Sequence, residues 1–306
     1  MSFENRVTEL FHIDYPVFQG GMAWVATADL AAAVSEAGGL GILGAGSMND
    51  DLLRKEIRRC REMTSKAFGV NIVMLSPYTS ELFDVVCEER VPIVTTGAGN
   101  PAPYMKKLKD AGVKVVPVIP AVSLAKRMES YGADAVIAEG MESGGHIGTL
   151  TTLVLVPQVV DAVSIPVIAA GGIADARGVK AAFALGAEGV QLGTRFVAST
   201  ECKAHPNYKQ LIVKAGDRST VVTGISLNRP VRCLRNPMTK NLLQLEKSGA
   251  SPDEFENAAT GSLKKAFLYG DVHEGSFLAG QISGMIKDIK PVKEIIMELF
   301  KDFKER

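Results

Sequence analysis

Eight short runs of apolar, largely β-branched residues recur along the chain: Tyr15 to Gly20, Leu40 to Gly44, Phe68 to Met74, Val91 to Thr96, Lys114 to Ile119, Ala135 to Gly140, Pro166 to Gly171 and Gly189 to Gly193. Their starts fall 21 to 31 residues apart, room for one strand, one helix and two short connections. The segments between them carry a helical period. In Asn49 to Met63, Asn49 can cap the N-terminus while Leu52, Leu53, Ile57 and Cys60 recur on one face. Runs that are apolar throughout suit parallel strands covered on both faces, and eight strand-helix units close into a (β/α)8 TIM barrel. A doubly wound sheet fits the alternation almost as well. What decides is that glycines and polar residues gather at the strand ends, in YPVFQGG, GILGAG, FGVNIVM, IVTTGAG, VIAEG, VIAAGG and VQLGTR. Barrel enzymes build their sites on that face.

After Arg195 the repeat breaks. About 75 residues follow with turn signals at His205-Pro206, Asn228-Arg229-Pro230, Asn236-Pro237 and Ser251-Pro252. The expected organisation is a barrel of residues 1–198 and 271–306, with 199–270 as a small, mostly helical substrate-binding insertion or lid after strand eight. GSFLAGQISGMI reads as a return to helix, and the tail KPVKEIIMELFKDF as the last helix of the outer ring, its apolar face a candidate homodimer contact. The 306 residues suit a barrel of about 250 with such an addition. No apolar run nears the roughly 20 residues of a membrane helix, and no basic-then-apolar leader opens the chain, so a cytoplasmic protein is expected. Basic and acidic residues balance at 34 each, and neither a nucleic-acid nor a membrane partner is expected. Cys60, Cys87, Cys202 and Cys233 stand far apart with no CxxC pair, which argues against a zinc site or a disulfide framework, and no metal site is assigned.

The residues that carry chemistry sit at those strand ends. Gly171-Gly172 ends strand seven and Gly193-Thr194 ends strand eight, where barrels bind phosphate through backbone N–H groups; the alternative is that both are simple tight turns. Gln19-Gly20-Gly21-Met22 offers a flat backbone ledge with a thioether beside it, suited to a planar ring system. Asn71 and Gln191, polar within apolar runs, need partners if they point inward, from a ligand or from neighbouring backbone. GGLGILG (Gly39, Gly41, Gly44) matches the dinucleotide GxGxxG, but its apolar residues are themselves a strand and no acidic residue follows at the required distance. The sharpest constellation is AEGMESGGHIG. Glu139 closes strand six, and Gly144, Gly145 and Gly148 flank His146, a residue that titrates near neutrality and can donate a proton or hydrogen bond to a substrate oxygen. His12, His205 and His273 are assigned no role. From Lys203 to Lys240 the chain holds Lys203, Lys209, Lys214, Arg218, Arg229, Arg232, Arg235 and Lys240 against Asp217 alone, which suggests an anionic partner or a solvated basic face.

IDYPVFQGGMAWVA, FGVNI, VTTGAGNP, GADAVIAEGMESGGHIG with a following LTT, SIPVIAAGGIAD, LGTRFV, AHPNYK and GSFLAGQISG occur in this order. In them the chain resembles the flavin-dependent type II enoyl-acyl-carrier-protein reductases, sisters of the nitronate monooxygenases in one superfamily. The resemblance implies FMN bound at Gly20, Gly21, Met22, Ala23, Asn71, Glu139, Gly144, Gly145, Gly171, Gly172, Gln191, Gly193 and Thr194. It implies NADH or NADPH as reductant, assistance by a monovalent cation, and an enoyl substrate carried on acyl-carrier protein, with His146 catalytic. The basic stretch would meet the acidic carrier. A nitronate monooxygenase, with His146 as base and O2 as oxidant, shares the QGGM, GGH and AAGGIAD elements. A phosphate-handling isomerase or lyase using Glu139 and His146, and a non-catalytic flavin module, are the other readings.

Overall fold

The computed structural model describes residues 3–303. In chain order come β1 (Val17–Gln19), β2 (Gly41–Gly44), β3 (Phe68–Val73), β4 (Ile93–Gly97), β5 (Lys114–Ile119), β6 (Val136–Glu139), a two-residue strand β7 (Gly145–His146) in the loop that follows, β8 (Val167–Ala170) and β9 (Gly189–Leu192). All but β7 pair in parallel, in the order β1-β9-β8-β6-β5-β4-β3-β2. A bridge between Phe18 and Leu40 joins the two ends. There Leu40 N donates to Val17 O at 2.8 Å and Gln19 N to Leu40 O at 2.9 Å. The expected (β/α)8 barrel is therefore closed, and Gly41 to Gly44 of the GxGxxG match are strand.

Strand period decides what lies inside. Phe18, Ile42, Ile93, Val116, Ile137, Ile168 and Ala170 form one buried cluster, while their chain neighbours Leu43, Val94 and Val115 belong to a second and Val17, Val136, Val167 and Val190 to a third. Alternation of side chains places the first set in the barrel and the others under the helices. Val7 and Phe11 of the helix Arg6–Phe11 join the interior set, and the ring of Phe11 meets that of Phe18 edge-on at 5.1 Å. Val7 also lies against Gly189, the first residue of β9, so this helix plugs the N-terminal end of the barrel.

Two helix contacts complete the outer layer. Gly41 lets the helix Ala28–Glu36 press directly on β2, because a Cβ there would fall 1.8 Å from Ala31 O. The C-terminal helix Val292–Phe300 buries Val292, Ile295, Ile296, Leu299 and Phe300, a one-sided stripe at helical spacing. It packs against the helices Ala28–Glu36 and Ala176–Ala184, closing the ring.

The segment after β9 is mostly helical, as expected, but holds a small sheet that the sequence did not show. Its helices, among them Pro206–Val213, Pro237–Lys247 and Pro252–Ala259, accompany an antiparallel pair, β10 (Thr220–Thr223) and β11 (Val231–Leu234). β7 adds to the free edge of β11, making a three-stranded sheet that crosses from the insertion to the barrel. GSFLAGQISGMI is not the helix its small residues suggested. It runs extended beside β11, with Leu234 N donating to Phe277 O at 2.8 Å and Cys233 bridging Leu278, before a single 3-10 turn at Gln281–Met285. Its glycines serve close approach, since a Cβ on Gly280 would come within 2.7 Å of Glu142 O. Among the described residues no helix is long and apolar enough to cross a membrane.

The contact at Gly41 yields a stability test. Gly41→Ala is expected to lower the free energy of unfolding by about 3 kcal/mol or more in urea titration, because helix and strand must separate. Gly216→Ala, with nothing within 4 Å of the new Cβ, should stay within about 0.5 kcal/mol of the parent.

Candidate functional site

The alternation that fills the barrel with Phe18, Ile93, Ile137 and Ile168 dictates what caps it. Two residues further on, or at the same parity, stand Asn71 on β3, Thr95 on β4, Glu139 on β6 and Gln191 on β9. Asn71 is opposite Thr95, Glu139 opposite Ala170, and Ala170 opposite Gln191. The Asn71 amide donates to Thr95 Oγ1 at 2.9 Å, and its carbonyl oxygen lies beneath Gly21, 2.8 Å from where a Cβ there would stand. The carboxamide oxygen of Gln191 is buried and has no hydrogen-bond partner, an arrangement that costs free energy unless a ligand donor meets it. Among the described residues no basic side chain pairs with Glu139; burial pushes its carboxyl up to about 7, against a smaller opposing effect of the Ser143 hydroxyl.

Over this layer lies the loop after β1. A Cβ on Gly21 would fall 2.1 Å from Asn71 Cβ, one on Gly20 3.4 Å from the Gln191 side chain, and one on Gly193 3.4 Å from Met22 Sδ. Gly20, Gly21 and Met22 thus rest directly on Asn71, Gln191 and Gly193, with Ala23 beside Gly46. The ledge ends at Trp24, which holds a left-handed backbone (φ 67°) that a bulky residue seldom adopts. Lys264 Nζ lies 5.5 Å from the Trp24 ring and Phe267 packs beside it at 6.5 Å, so the insertion touches the ledge here.

Gly171 (φ 85°) and Gly172 (φ 72°) turn the chain at the end of β8, and Gly193 leads into the short helix Thr194–Val197. The amides of Gly172, Gly193 and Thr194 donate to no carbonyl or side chain among the described residues. The Thr194 hydroxyl is turned away and accepts from Gly280 N at 2.9 Å. Gly171 is held by Thr152, whose hydroxyl donates to Gly171 O at 2.9 Å while its amide reaches the Glu142 carboxylate at 3.0 Å.

His146 sits on β7, opposite Val231 of β11, with Gly145 opposite Arg232. Its imidazole is exposed at the rim. Desolvation by the surrounding loops, followed by the charge of Arg229, lowers its pKa below the ordinary histidine value. The neutral ring therefore persists to more acidic pH than in a free histidine. Gly144 faces protein, for a Cβ there would strike the Ala279 backbone at 2.7 Å. The remaining histidines are local: His12 closes the first helix with φ 55°, and His205 Nδ1 accepts from Asn207 N at 3.1 Å.

The basic run does not form one solvent-facing patch. Lys203 pairs with Asp29 at 3.5 Å, Lys209 Nζ donates to Ser199 O at 2.6 Å, and Arg232 is buried at 5% exposure. Lys214, Arg218, Arg229, Arg235 and Lys240 remain exposed, Arg229 facing Glu256 at 3.2 Å. Sequence reasoning had no means of separating Arg232 from these neighbours, and it missed Thr95 and Thr152; only Thr95, two positions beyond an inward Ile93, carries a period-two signal.

Glu139 gives a pH test. A raised folded-state pKa stabilises the fold fully below about 4.5, and that contribution is lost as pH rises through about 7. Glu139→Gln should accordingly match the parent at pH 4 and exceed its stability by about 2 kcal/mol at pH 8, read by thermal unfolding at both values.

The nitronate monooxygenase family profile matches residues 4–86 and 76–302. A probable nitronate monooxygenase of Staphylococcus aureus is 36% identical over 310 residues, covering 86% of this chain and 87% of its own. Among solved structures, FabK from Thermotoga maritima superposes with a TM-score of 0.97 at 56% identity, covering 99% of this chain and 96% of that one. A nitroalkane oxidase from Streptomyces ansochromogenes superposes with a TM-score of 0.83 at 31% identity, covering 96% of each chain. The chain belongs to the nitronate monooxygenase family and is an oxidoreductase of its FabK-type branch.

Proposed function

We propose that this protein is an FMN-dependent enoyl-acyl-carrier-protein reductase that reduces trans-2-enoyl thioesters with NADH or NADPH. The observation that carries the reading is the mouth of the barrel: an unpartnered buried acceptor on Gln191 and the Asn71 carboxamide lie beneath a glycine ledge, with free amides at Gly172, Gly193 and Thr194 to one side. These residues fit a planar ring carrying hydrogen-bond donors and a phosphate. When bound, FMN supplies hydride transfer between the nicotinamide and the β-carbon of the enoyl thioester. The 56% identity to FabK over nearly the whole chain favours the reductase over its sister reaction.

Around that cofactor the chain's own groups have distinct tasks. Asn71 and Gln191 fix the ring edge, and Gly20 and Gly21, having no Cβ, let the ledge close directly onto these two side chains. His146, neutral at pH 7, donates an N–H to the thioester carbonyl oxygen where negative charge develops, an effect worth several kcal/mol in comparable sites. The lowered histidine pKa also suits a base, which favours nitronate oxidation as the second reading, in which His146 takes the α-proton of a nitroalkane.

Anaerobic stopped-flow absorbance separates the two. NADH or NADPH should bleach the flavin band, and crotonyl thioester should restore it. Bleaching by a nitronate but by neither nicotinamide would establish the monooxygenase instead. His146→Gln should leave bleaching by the nicotinamide unchanged and slow recovery with the thioester about 100-fold or more. As donor in the reductase His146 keeps an N–H whether neutral or protonated, so no loss of kcat/KM from its titration is expected on the acid side, whereas as base in nitronate oxidation it should give an acid limb below the ordinary histidine pKa; pH profiles of both reactions check this.

The carrier reading rests on exposed arginines. Replacing Arg218 and Arg235 by Gln, with Arg229 kept because its charge acts on His146, should raise KM for an enoyl thioester on acyl-carrier protein about tenfold at low salt, with little change for crotonyl-CoA. Equal effects on both substrates would show that the surface plays no part in docking.

A further inference from the structure

The loop that bears His146 has little to hold itself. Gly140, Gly144, Gly145 and Gly148 interrupt it, and β7 is two residues long. Glycine loses more backbone freedom on ordering than any other residue, so a loop of this composition adopts one conformation only where neighbours impose it. On one side the backbone at Ala279 and Gly280 presses on Gly144 and Glu142. On the other stands Arg232 of β11. Its Nε and Nη2 both donate to Met141 O at 3.1 Å, and its Nη1 donates to Thr220 Oγ1 on β10 at 3.2 Å. The side chain thus ties the start of the loop to both strands of the insertion hairpin, while the Arg232 backbone pairs with Gly145 and Ile147 N donates to Pro230 O at 3.1 Å.

A guanidinium at 5% exposure is expensive. The Glu142 carboxylate nearby offsets part of that cost, yet its own oxygens are taken by Thr152, so Arg232 has no bidentate carboxylate partner among the described residues. An apolar residue would fill the same position at lower cost in stability. The charge is spent on a carbonyl of the catalytic loop.

From this geometry we infer that Arg232 is the positioning residue of the reaction: through Met141 O and the β7–β11 pairing it holds His146 at the rim of the barrel mouth in the orientation that meets the substrate. The inference rests on the reductase reading for its kinetic arm and on the chain alone for its structural arm. Because β11 belongs to the insertion, it also makes the insertion hairpin, whose outer surface carries Arg218, Arg229 and Arg235, one continuous unit with the catalytic histidine.

The test uses the flavin-loaded enzyme and the variants Arg232→Met and Arg232→Lys. Hydrogen exchange across residues 140–148 reads the structural arm without any substrate. Arg232→Met should exchange at least tenfold faster there, with the barrel strands unchanged, and Arg232→Lys, which keeps a donor for Met141 O, should recover part of the protection. In the kinetic arm, the rate of flavin bleaching by the nicotinamide should equal the parent's in both variants. Recovery with crotonyl thioester should fall 10- to 100-fold in Arg232→Met at unchanged KM, the scale expected for a misplaced catalytic group, and be partly rescued in Arg232→Lys. A general structural role would slow both half-reactions and release flavin, and that result overturns the inference. Parent-like exchange at 140–148, or parent-like recovery in an Arg232→Met enzyme that retains its flavin, overturns it equally. If the parent itself does not turn over enoyl thioesters, the reductase reading fails, and the exchange arm still decides for or against Arg232.

Discussion

The parallel barrel closed by the Phe18–Leu40 bridge is the constraint on which the rest depends. Once the sheet has no edges, every strand residue faces either the interior or the helices, and the choice alternates without exception along each strand. Phe18, Ile42, Ile93, Ile137 and Ile168 then fill the inside, and the same parity continued toward the C-terminal end delivers Thr95, Glu139 and Gln191 to the mouth. Polar residues there are not a flaw in an apolar core. They are the next layer of it, reached where the interior opens and the packing requirement ends. The plug formed by Val7 and Phe11 matters for the same reason, since a barrel sealed at one end presents a single opening for ligands.

A second principle operates at the rim. The barrel supplies rigid strand ends, but His146, on a glycine-rich loop, is supported from outside the barrel by the edge of a hairpin. Strand addition suits this task because it fixes the backbone on both sides of the histidine through main-chain hydrogen bonds and leaves the side chain uncommitted. The buried Arg232 contributes what β7 cannot, contacts to a carbonyl five residues before His146. The insertion is therefore not simply a cover laid over a finished site; part of the site's geometry is made in it.

Much of this was legible in the residues. The eight strands, their order of glycine-rich ends and the histidine loop all follow from period and punctuation, because those patterns are local and the barrel repeats them. What could not be read has a common physical character. β7 is two residues of Gly and His, below any length at which strand propensity speaks, and it exists only because β11 offers an edge. GSFLAGQISGMI has small residues at helical spacing, yet those glycines answer to close contact with Glu142 and Gly144, a tertiary demand invisible in the run itself. Arg232 stands three residues from Arg229 and three from Arg235 and looks the same; burial separates them, and burial follows from the hairpin's pairing. Thr194 is read through its backbone amide, which donates to no other described group, while the use of its hydroxyl as an acceptor for Gly280 N has no signal in the sequence.

Under the two proposed readings, one imidazole would meet opposite demands. Reduction of an enoyl thioester asks His146 to share a proton with an oxygen that grows more negative, whereas nitronate chemistry asks it to accept one from carbon. A ring kept neutral by desolvation and by Arg229 can begin either task, so the histidine alone does not discriminate. Discrimination must come from what is brought to it and held there. A carrier-borne thioester needs a long approach with a polar, partly basic border, and the hairpin that carries Arg218, Arg229 and Arg235 on its outside is bonded through β11 to the histidine on its inside. A small nitroalkane needs no such border. On the proposed reading, the path from the exposed arginines along β11 and across its hydrogen bonds to β7 makes physical sense as a device for a substrate that arrives attached to a protein, and it is on that surface rather than at the imidazole that members of the family with different substrates should diverge.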